Sequence, residues 1–186
     1  MPNHIKAVAA TISLVILDVD GVLTDGTLAY TESGERVKNF NAKDGLGIRL
    51  MQSNNIEVAV ITARQSPPLA KRMQDLRIEH FYTGYDNKLA AFEMLLEKVS
   101  FDESRIAYVG DDILDLPVMR RVALPIAVGD AHFTVKDEAK WTVSQLGGRG
   151  AVREVADGLI GARTDVTDAY NRFLAHHVGK SGLDKA

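Results

Sequence analysis

The chain has 186 residues, 46% of them hydrophobic and 25% charged, with a formal net charge of −3. That length suits one domain (residues 1–186) able to bury a core, and the composition excludes a fibre, a disordered tail and recruitment of nucleic acid or acidic lipid through an overall basic field. The absence of cysteine excludes disulfides, thiolate metal sites and a cysteine nucleophile, and suits a cytoplasmic location.

In chain order, an apolar run from Ala7 to Leu17 follows Lys6. It is too short to span a bilayer and runs straight into Asp18-Val19-Asp20, so it reads as a buried strand rather than a signal peptide, with no membrane insertion. Ser13–Leu17, Glu57–Ile61, Arg105–Val109 and Ile126–Val128 are continuous apolar runs, each ending in a polar cluster. Such runs predict strands buried on both faces of a parallel sheet. After the first of them, Thr27–Tyr30 and Arg36–Phe40 flank Glu32-Ser33-Gly34-Glu35 and predict a β-hairpin over about residues 27–40. Three stretches then have helical spacing. The first carries Leu46, Leu50 and Met51. The second carries Leu69, Met73 and Leu76, with Ser66 as a cap and Pro67 in the first turn. The third carries Leu89, Phe92, Leu95 and Leu96. The alternation predicts an α/β fold, a three-layer, doubly wound, Rossmann-like parallel sheet whose ligands sit beyond the strands' carboxyl ends. From Thr164 a short polar helix leads into a tail (about residues 164–186) frayed at its end.

Four polar clusters fall just after predicted strands. The first is Asp18-Val19-Asp20-Gly21, continuing to Gly26. Two carboxylates one residue apart behind an apolar strand are costly without a cation, and magnesium suits them because it favours oxygen ligands and keeps waters for a phosphate. The second is Thr62-Ala63-Arg64, a hydroxyl and a guanidinium fit for an anion, or equally a cap and a surface arginine. The third is Lys88, by itself an ordinary solvated lysine. The fourth is Gly110-Asp111-Asp112-Ile113-Leu114-Asp115, where helix capping accounts for Asp112 or Asp115 but not for all three carboxylates.

The combination in order, DxD, Thr, Lys and GDDxxD, resembles the haloacid dehalogenase superfamily of phosphotransferases over most of residues 13–130. The resemblance implies that Asp18 attacks phosphorus to form an aspartyl-phosphate and that Asp20 protonates the leaving oxygen and later activates water. Thr62 and Lys88 would hold the phosphoryl group. Asp18, the Asp20 carbonyl and Asp111 would bind Mg2+, with Asp112 and Asp115 supporting Lys88 and the metal's waters. A carboxylate nucleophile divides hydrolysis into two easier steps, and alignment with charge neutralisation supplies most of the rest.

The intervals Asp20–Thr62 and Thr62–Lys88 are too short for a cap domain, so a second surface has to cover the site. A capless sheet with an inserted hairpin resembles the 3-deoxy-D-manno-octulosonate 8-phosphate phosphatases. The matching stretches are residues 18–26, Phe40–Gly45, Thr62–Arg64, Gly110–Met119 and Gly147–Glu154. That resemblance implies hydrolysis of a sugar-acid phosphate in lipopolysaccharide biosynthesis by a homotetramer whose hairpins associate. Asn41, Ala42, Lys43, Asp44, Gly45, Arg49, Arg64 and Arg72 would contact substrate beside Asp20 and Lys88. Lys43 stands where relatives often carry arginine, and Ala63 where they often carry glycine. Gly147–Gly150 reads as a lid or as an ordinary loop. A nine-carbon keto-sugar acid 9-phosphate is the alternative substrate. A phospho-accepting receiver domain has its acidic residues in a different order, and an idle tethering domain does not need the full set of four clusters. His176-His177 are adjacent on a polar helix and unsuited to one ion. Trp141 is expected under the last strand, and neither His80 nor His132 has an evident partner.

Overall fold

The computed structural model describes residues 1–32 and 34–181, apart from the side chains of Arg36 and residues 177–181. In chain order its strands are β1 (Leu14–Leu17), β2 (Ala29–Thr31), β3 (Gly34–Val37), β4 (Glu57–Thr62), β5 (His80–Thr83), β6 (Ile106–Gly110), β7 (Leu124–Ala127) and β8 (Trp141–Thr142). The helices are α1 (Lys6–Thr11), α2 (Ala42–Ser53), α3 (Pro67–Asp75), α4 (Lys88–Leu96), α5 (Leu116–Met119), α6 (Phe133–Glu138), α7 (Ala151–Arg163) and α8 (Val166–Ser181).

Six strands form one parallel sheet in the order β5-β4-β1-β6-β7-β8, while β2 and β3 pair antiparallel outside it. The chain builds outward from β1 through β4 to β5, then returns to the other side of β1 for β6, β7 and β8. The reversal between β4 and β6 around β1 opens a crevice at the carboxyl ends of the central strands. Leu14, Val15, Ile16 and Leu17 of β1 are all fully buried, as a strand covered on both faces must be. Each such aliphatic side chain stabilises the fold by about 1.5–3 kcal/mol relative to exposure. Helices flank the sheet: α2 packs with α7, α1 and α8 join that group, and α4 packs with α5 and β4. This is the doubly wound α/β architecture expected, with a hairpin where a cap would be inserted.

The apolar run before Asp18 divides differently from the expectation of one long strand. Lys6–Thr11 is the helix α1, packed on α7, and the strand starts only at Leu14. Three alanines favour a helix there, and Ile12 (ψ 124°) returns the chain to extended geometry. In α2 the buried stripe is Ile48, Leu50 and Met51, whereas Leu46 is exposed. Ser66 occupies the N-cap of α3 without a side-chain capping bond, although Pro67 opens the helix as expected. Trp141 lies in the last strand, its ring against Gly158 of α7. The hairpin strands end at Thr31 and resume at Gly34; Ser33 and the Arg36 side chain lie outside the described residues. Among the described residues, no helix is long and apolar enough to cross a membrane.

Candidate active site

Parallel pairing of β1 with β4 and β6 sets three chain ends side by side: Asp18 follows β1, Thr62 closes β4 and Asp111 follows β6. The Asp18 amide donates to the Val109 carbonyl (3.1 Å), tying the first loop to the fourth cluster. Beyond β5, a short turn delivers Lys88 as the first residue of α4. Asp18, Asp20, Thr62, Ala63, Arg64, Lys88, Asp111 and Asp115 thus line one cavity of about 210 Å3, together with Asp112 and Leu114. All four clusters singled out in the sequence converge.

At the centre is a buried chain of charge. Lys88 Nζ lies 2.8 Å from Asp18 Oδ1 and 2.7 Å from Asp115 Oδ1. Tyr108 donates its hydroxyl to the same Asp115 oxygen (2.7 Å), and the amides of Asp111 and Asp112 donate to Asp115 Oδ2 (2.9 and 3.3 Å). Asp115 therefore has all its accepting capacity engaged by protein donors. Asp112 accepts the Ile113 amide (2.7 Å) and caps the short 3-10 turn that carries Asp115. Burial pulls the Lys88 ammonium down, but Asp18 and Asp115 outweigh it and hold the group above its ordinary value.

One lysine cannot neutralise this many carboxylates. Burial, then the neighbouring Asp115 charge, push Asp18 up to about 7. Burial, then Asp18 and Asp115, push Asp111 up to about 8. Oxygen atoms of Asp18, Asp111 and Asp115 lie within 4.8 Å of one another. With Asp115 committed to four donors, Asp18 and Asp111 are the pair left short of positive charge. An all-oxygen donor set with uncompensated charge fits a hard divalent cation such as Mg2+.

The loop between Asp18 and Gly26 is shaped for close approach. Gly21 has φ +90°, and a Cβ there would stand 2.0 Å from Asp111 Oδ2. The Gly147–Gly150 segment packs behind this loop: the Gly148 amide donates to the Val22 carbonyl (2.9 Å) and the Gly147 amide to Asp130 (2.9 Å). A Cβ on Gly147 would fall 1.7 Å from the Gly21 carbonyl oxygen. Of the two readings, lid or ordinary loop, the packing favours a loop, one that acts as a strut under the Asp18–Gly26 segment.

The expected substrate contacts divide into two groups. Arg64 sits on the rim, with Nε 3.7 Å from Asp20 Oδ2 and Nη1 donating to Tyr30 of the hairpin (3.0 Å). Asn41 caps α2 through the Lys43 amide (2.8 Å) and donates to the Gly148 carbonyl (3.2 Å), so it binds the strut. Ala42 and Lys43 are exposed in the first turn of α2. Asp44 is buried and accepts the amides of Gly150 (3.1 Å) and Arg153 (2.9 Å); it anchors the start of α7 instead of facing the cavity. Gly45 leaves room for Arg72, which lies over the Phe40 ring with its Nε buried and without a hydrogen-bond partner among the described residues. Arg49 donates to Gln52 (3.0 Å) and lies with Glu57 and His80, at the amino ends of β4 and β5. It is at the opposite end of the sheet from the cavity. His80 faces Glu57 (3.8 Å) and His132 caps α6 beside Thr134 (2.6 Å), so both have partners and neither joins the site. The His177 side chain is outside the described residues.

Two contributors escaped the sequence. Tyr108 is an apolar strand residue by pattern, and only the fold shows its hydroxyl reaching Asp115. Lys38, just past β3, is buried and ion-paired with Asp20 and with Glu35 (3.2 Å). The one signal available was a lysine in a short hairpin that follows the acidic turn in sequence.

Residues 81–150 match the family model for haloacid dehalogenase-like hydrolases. The chain is 47% identical over 172 residues to the 3-deoxy-D-manno-octulosonate 8-phosphate phosphatase of Salmonella typhi, covering 92% of each protein. The crystal structure of the Yersinia pestis phosphatase of that name superposes with a TM-score of 0.87 at 41% identity, covering 90% of both chains. The Moraxella catarrhalis enzyme, solved with magnesium, phosphate and KDO, gives a TM-score of 0.86 at 33% identity, covering 95% of this chain and 99% of that one. With the DxD loop, Thr62, Lys88 and the Asp111–Asp115 turn gathered in one cavity, the chain belongs to the 3-deoxy-D-manno-octulosonate 8-phosphate phosphatases of the haloacid dehalogenase superfamily.

Proposed function

We propose that this chain, acting as a single domain, hydrolyses 3-deoxy-D-manno-octulosonate 8-phosphate to the free sugar acid and inorganic phosphate. The observation that carries the reading is the buried Asp18–Lys88–Asp115 chain facing Asp111 in a cavity at the strands' carboxyl ends. Lys88 fixes the orientation of Asp18, so one carboxylate oxygen stays directed while the other is free to attack. In the first step the Asp18 oxygen–phosphorus bond forms, the bond from phosphorus to the sugar's C8 oxygen breaks, and Asp20 gives that oxygen a proton. In the second, water attacks phosphorus, the acyl-phosphate bond to Asp18 breaks, and Asp20 takes the water's proton. Thr62 and Lys88 supply donors to the phosphoryl oxygens, and general acid–base help of this type is worth about 10²–10⁴-fold. Asp18, Asp111 and the Asp20 carbonyl would hold Mg2+, which when bound neutralises phosphoryl oxygen charge and aligns the group for displacement. Arg64 and Arg72 suit the substrate's carboxylate or phosphate through forked hydrogen bonds.

Among the described residues, no cap domain covers the cavity. Tyr30 and Val37 on the hairpin, Leu114 on the cavity rim and its neighbour Ile113 are large exposed apolar side chains. Their exposure supports burial against other copies of the chain in a homotetramer, with a neighbour completing each site. A cytoplasmic location accords with the lack of cysteine. The test is a phosphate-release screen over sugar phosphates, the nine-carbon 9-phosphate included, with and without Mg2+, alongside Asp18→Asn. The variant is expected to fold and to lose turnover; retained turnover removes Asp18 as nucleophile.

A further inference from the structure

We propose that Lys38 is a positioning residue that holds the Asp20 carboxylate in its working orientation and so makes the hairpin part of the catalytic apparatus. The inference rests on the reading of Asp20 as proton donor and acceptor. Lysines are almost never fully buried unless paired, and the Lys38 side chain is only 1% exposed. Its ammonium meets Asp20 Oδ1 on one side and Glu35 Oε1 on the other at 3.2 Å. Glu35 belongs to the same hairpin and is itself nearly buried; its Oε1 makes no hydrogen bond among the described residues, so it holds the ammonium by charge, and Asp20 is the partner that Lys38 hydrogen-bonds. A buried ammonium is tolerated only when its partners keep good geometry. The arrangement therefore favours one orientation of Asp20.

The second oxygen of Asp20 faces Arg64, just past β4, which the hairpin contacts through Tyr30. Arg64 Nε lies 3.7 Å from Oδ2, and the same guanidinium accepts its place from Tyr30, whose hydroxyl takes a hydrogen bond from Nη1 at 3.0 Å. Arg64 is 45% exposed, so solvent screens its pull, and the buried Lys38 dominates. The ion pairs of Lys38 are with Asp20 and Glu35, whereas Asp18 and Asp115 are served by Lys88. Loss of Lys38 leaves the nucleophile's own support in place and frees only the proton-handling carboxylate. Displacing a catalytic group by about 1 Å can cost about 10²-fold in rate.

The two proposed steps respond differently to the leaving group, which supplies the test. A sugar phosphate must expel an alkoxide and needs the proton from Asp20. p-Nitrophenyl phosphate expels a stable phenolate and does not. Lys38→Met and Asp20→Asn are compared with the unaltered enzyme on both substrates by rapid mixing with Mg2+. Lys38→Met is expected to lower kcat on the sugar phosphate by about 10–100-fold with little change in KM. On the aryl ester it should release one nitrophenolate per site rapidly, then turn over slowly, because water attack on the aspartyl-phosphate still needs Asp20. Lys38→Met combined with Glu35→Gln removes both buried charges and should behave alike, which guards against a folding defect. Equal loss of the first step on both substrates, or unchanged sugar-phosphate kcat, overturns the proposal. An Asp20→Asn enzyme indifferent to the leaving group removes the reading of Asp20 and this inference with it. If Asp20→Asn discriminates between the substrates and Lys38→Met does not, only the role of Lys38 falls.

Discussion

Replacing Asp115 by Asn keeps the shape of the side chain and removes half of its accepting power. Four donors converge on this carboxylate: Lys88 Nζ and the Tyr108 hydroxyl on one oxygen, and the amides of Asp111 and Asp112 on the other. An amide side chain has one acceptor oxygen, and its NH2 must face one of the two donor pairs. Turned toward Lys88 and Tyr108, the oxygen leaves two part-buried backbone amides facing another donor. Turned the other way, it leaves the ammonium with Asp18 alone. Each buried donor left unsatisfied costs about 1–3 kcal/mol. Lys88 keeps Asp18 in either case, so the full cost of a broken buried pair, about 3–5 kcal/mol, is an upper bound. Two such donors cost about 2 kcal/mol at least, so the expected loss is about 2–5 kcal/mol, a large share of the 5–15 kcal/mol typical of a folded domain. Urea unfolding at fixed protein concentration without divalent cation measures it. Asp112→Asn is the control, because Asn caps a turn as well as Asp does and the Asp112 side chain accepts only backbone amides among the described residues, those of Ile113 and of Asp115 in a capping box. A shift below about 1 kcal/mol for Asp115→Asn would refute the reasoning that its four bonds are satisfied together.

Two further outcomes follow from the acidic cluster. Asp18 and Asp111 are raised to about 7 and about 8, so between about pH 4 and 8 the folded state retains protons that the unfolded chain has released. Metal-free stability should therefore fall as pH rises through that window, while the raised Lys88 contributes evenly across it; the gain in Tm on adding Mg2+ should be larger at pH 8 than at pH 5.5, and a pH-independent gain contradicts the assignment. Gly21→Ala places a Cβ 2.0 Å from Asp111 Oδ2 at a backbone φ of +90°. Calorimetric titration should show Mg2+ affinity reduced by at least about tenfold, and unchanged affinity removes Asp111 as a ligand.

The reach of the sequence is clearest at the strand ends. Buried parallel strands are written as continuous apolar runs, and the polar residue that ends each run faces the crevice by necessity. Asp18, Thr62 and Asp111 were legible for that reason. Arg49 was not, because α2 runs back along the sheet: at 1.5 Å rise per residue, the seven residues from Ala42 carry it about 10 Å away from the site. Asp44 lies on the correct turn of α2, but its partners are amides more than a hundred residues later, which no local pattern encodes. Lys38 shares that obscurity, its partner Asp20 being 18 residues away across the hairpin. The helix α1 was hidden for another reason, since Lys6–Thr11 carries no polar stripe and alanine-rich apolar sequence is ambiguous between helix and strand over so few residues.

The seam between Gly147 and Gly21 has a consequence for how this family of chains can change. The loop bearing Asp18 and Asp20 rests on main chain from more than a hundred residues later, with no side chain interposed and no slack for a methyl group. A substitution on either side of that seam is transmitted to Asp18 and Asp20 as displacement, although none of residues 147–150 lines the cavity. The two segments are consequently constrained to drift together, as a lock and its backplate do, and a library that varies the loop alone should recover few working enzymes.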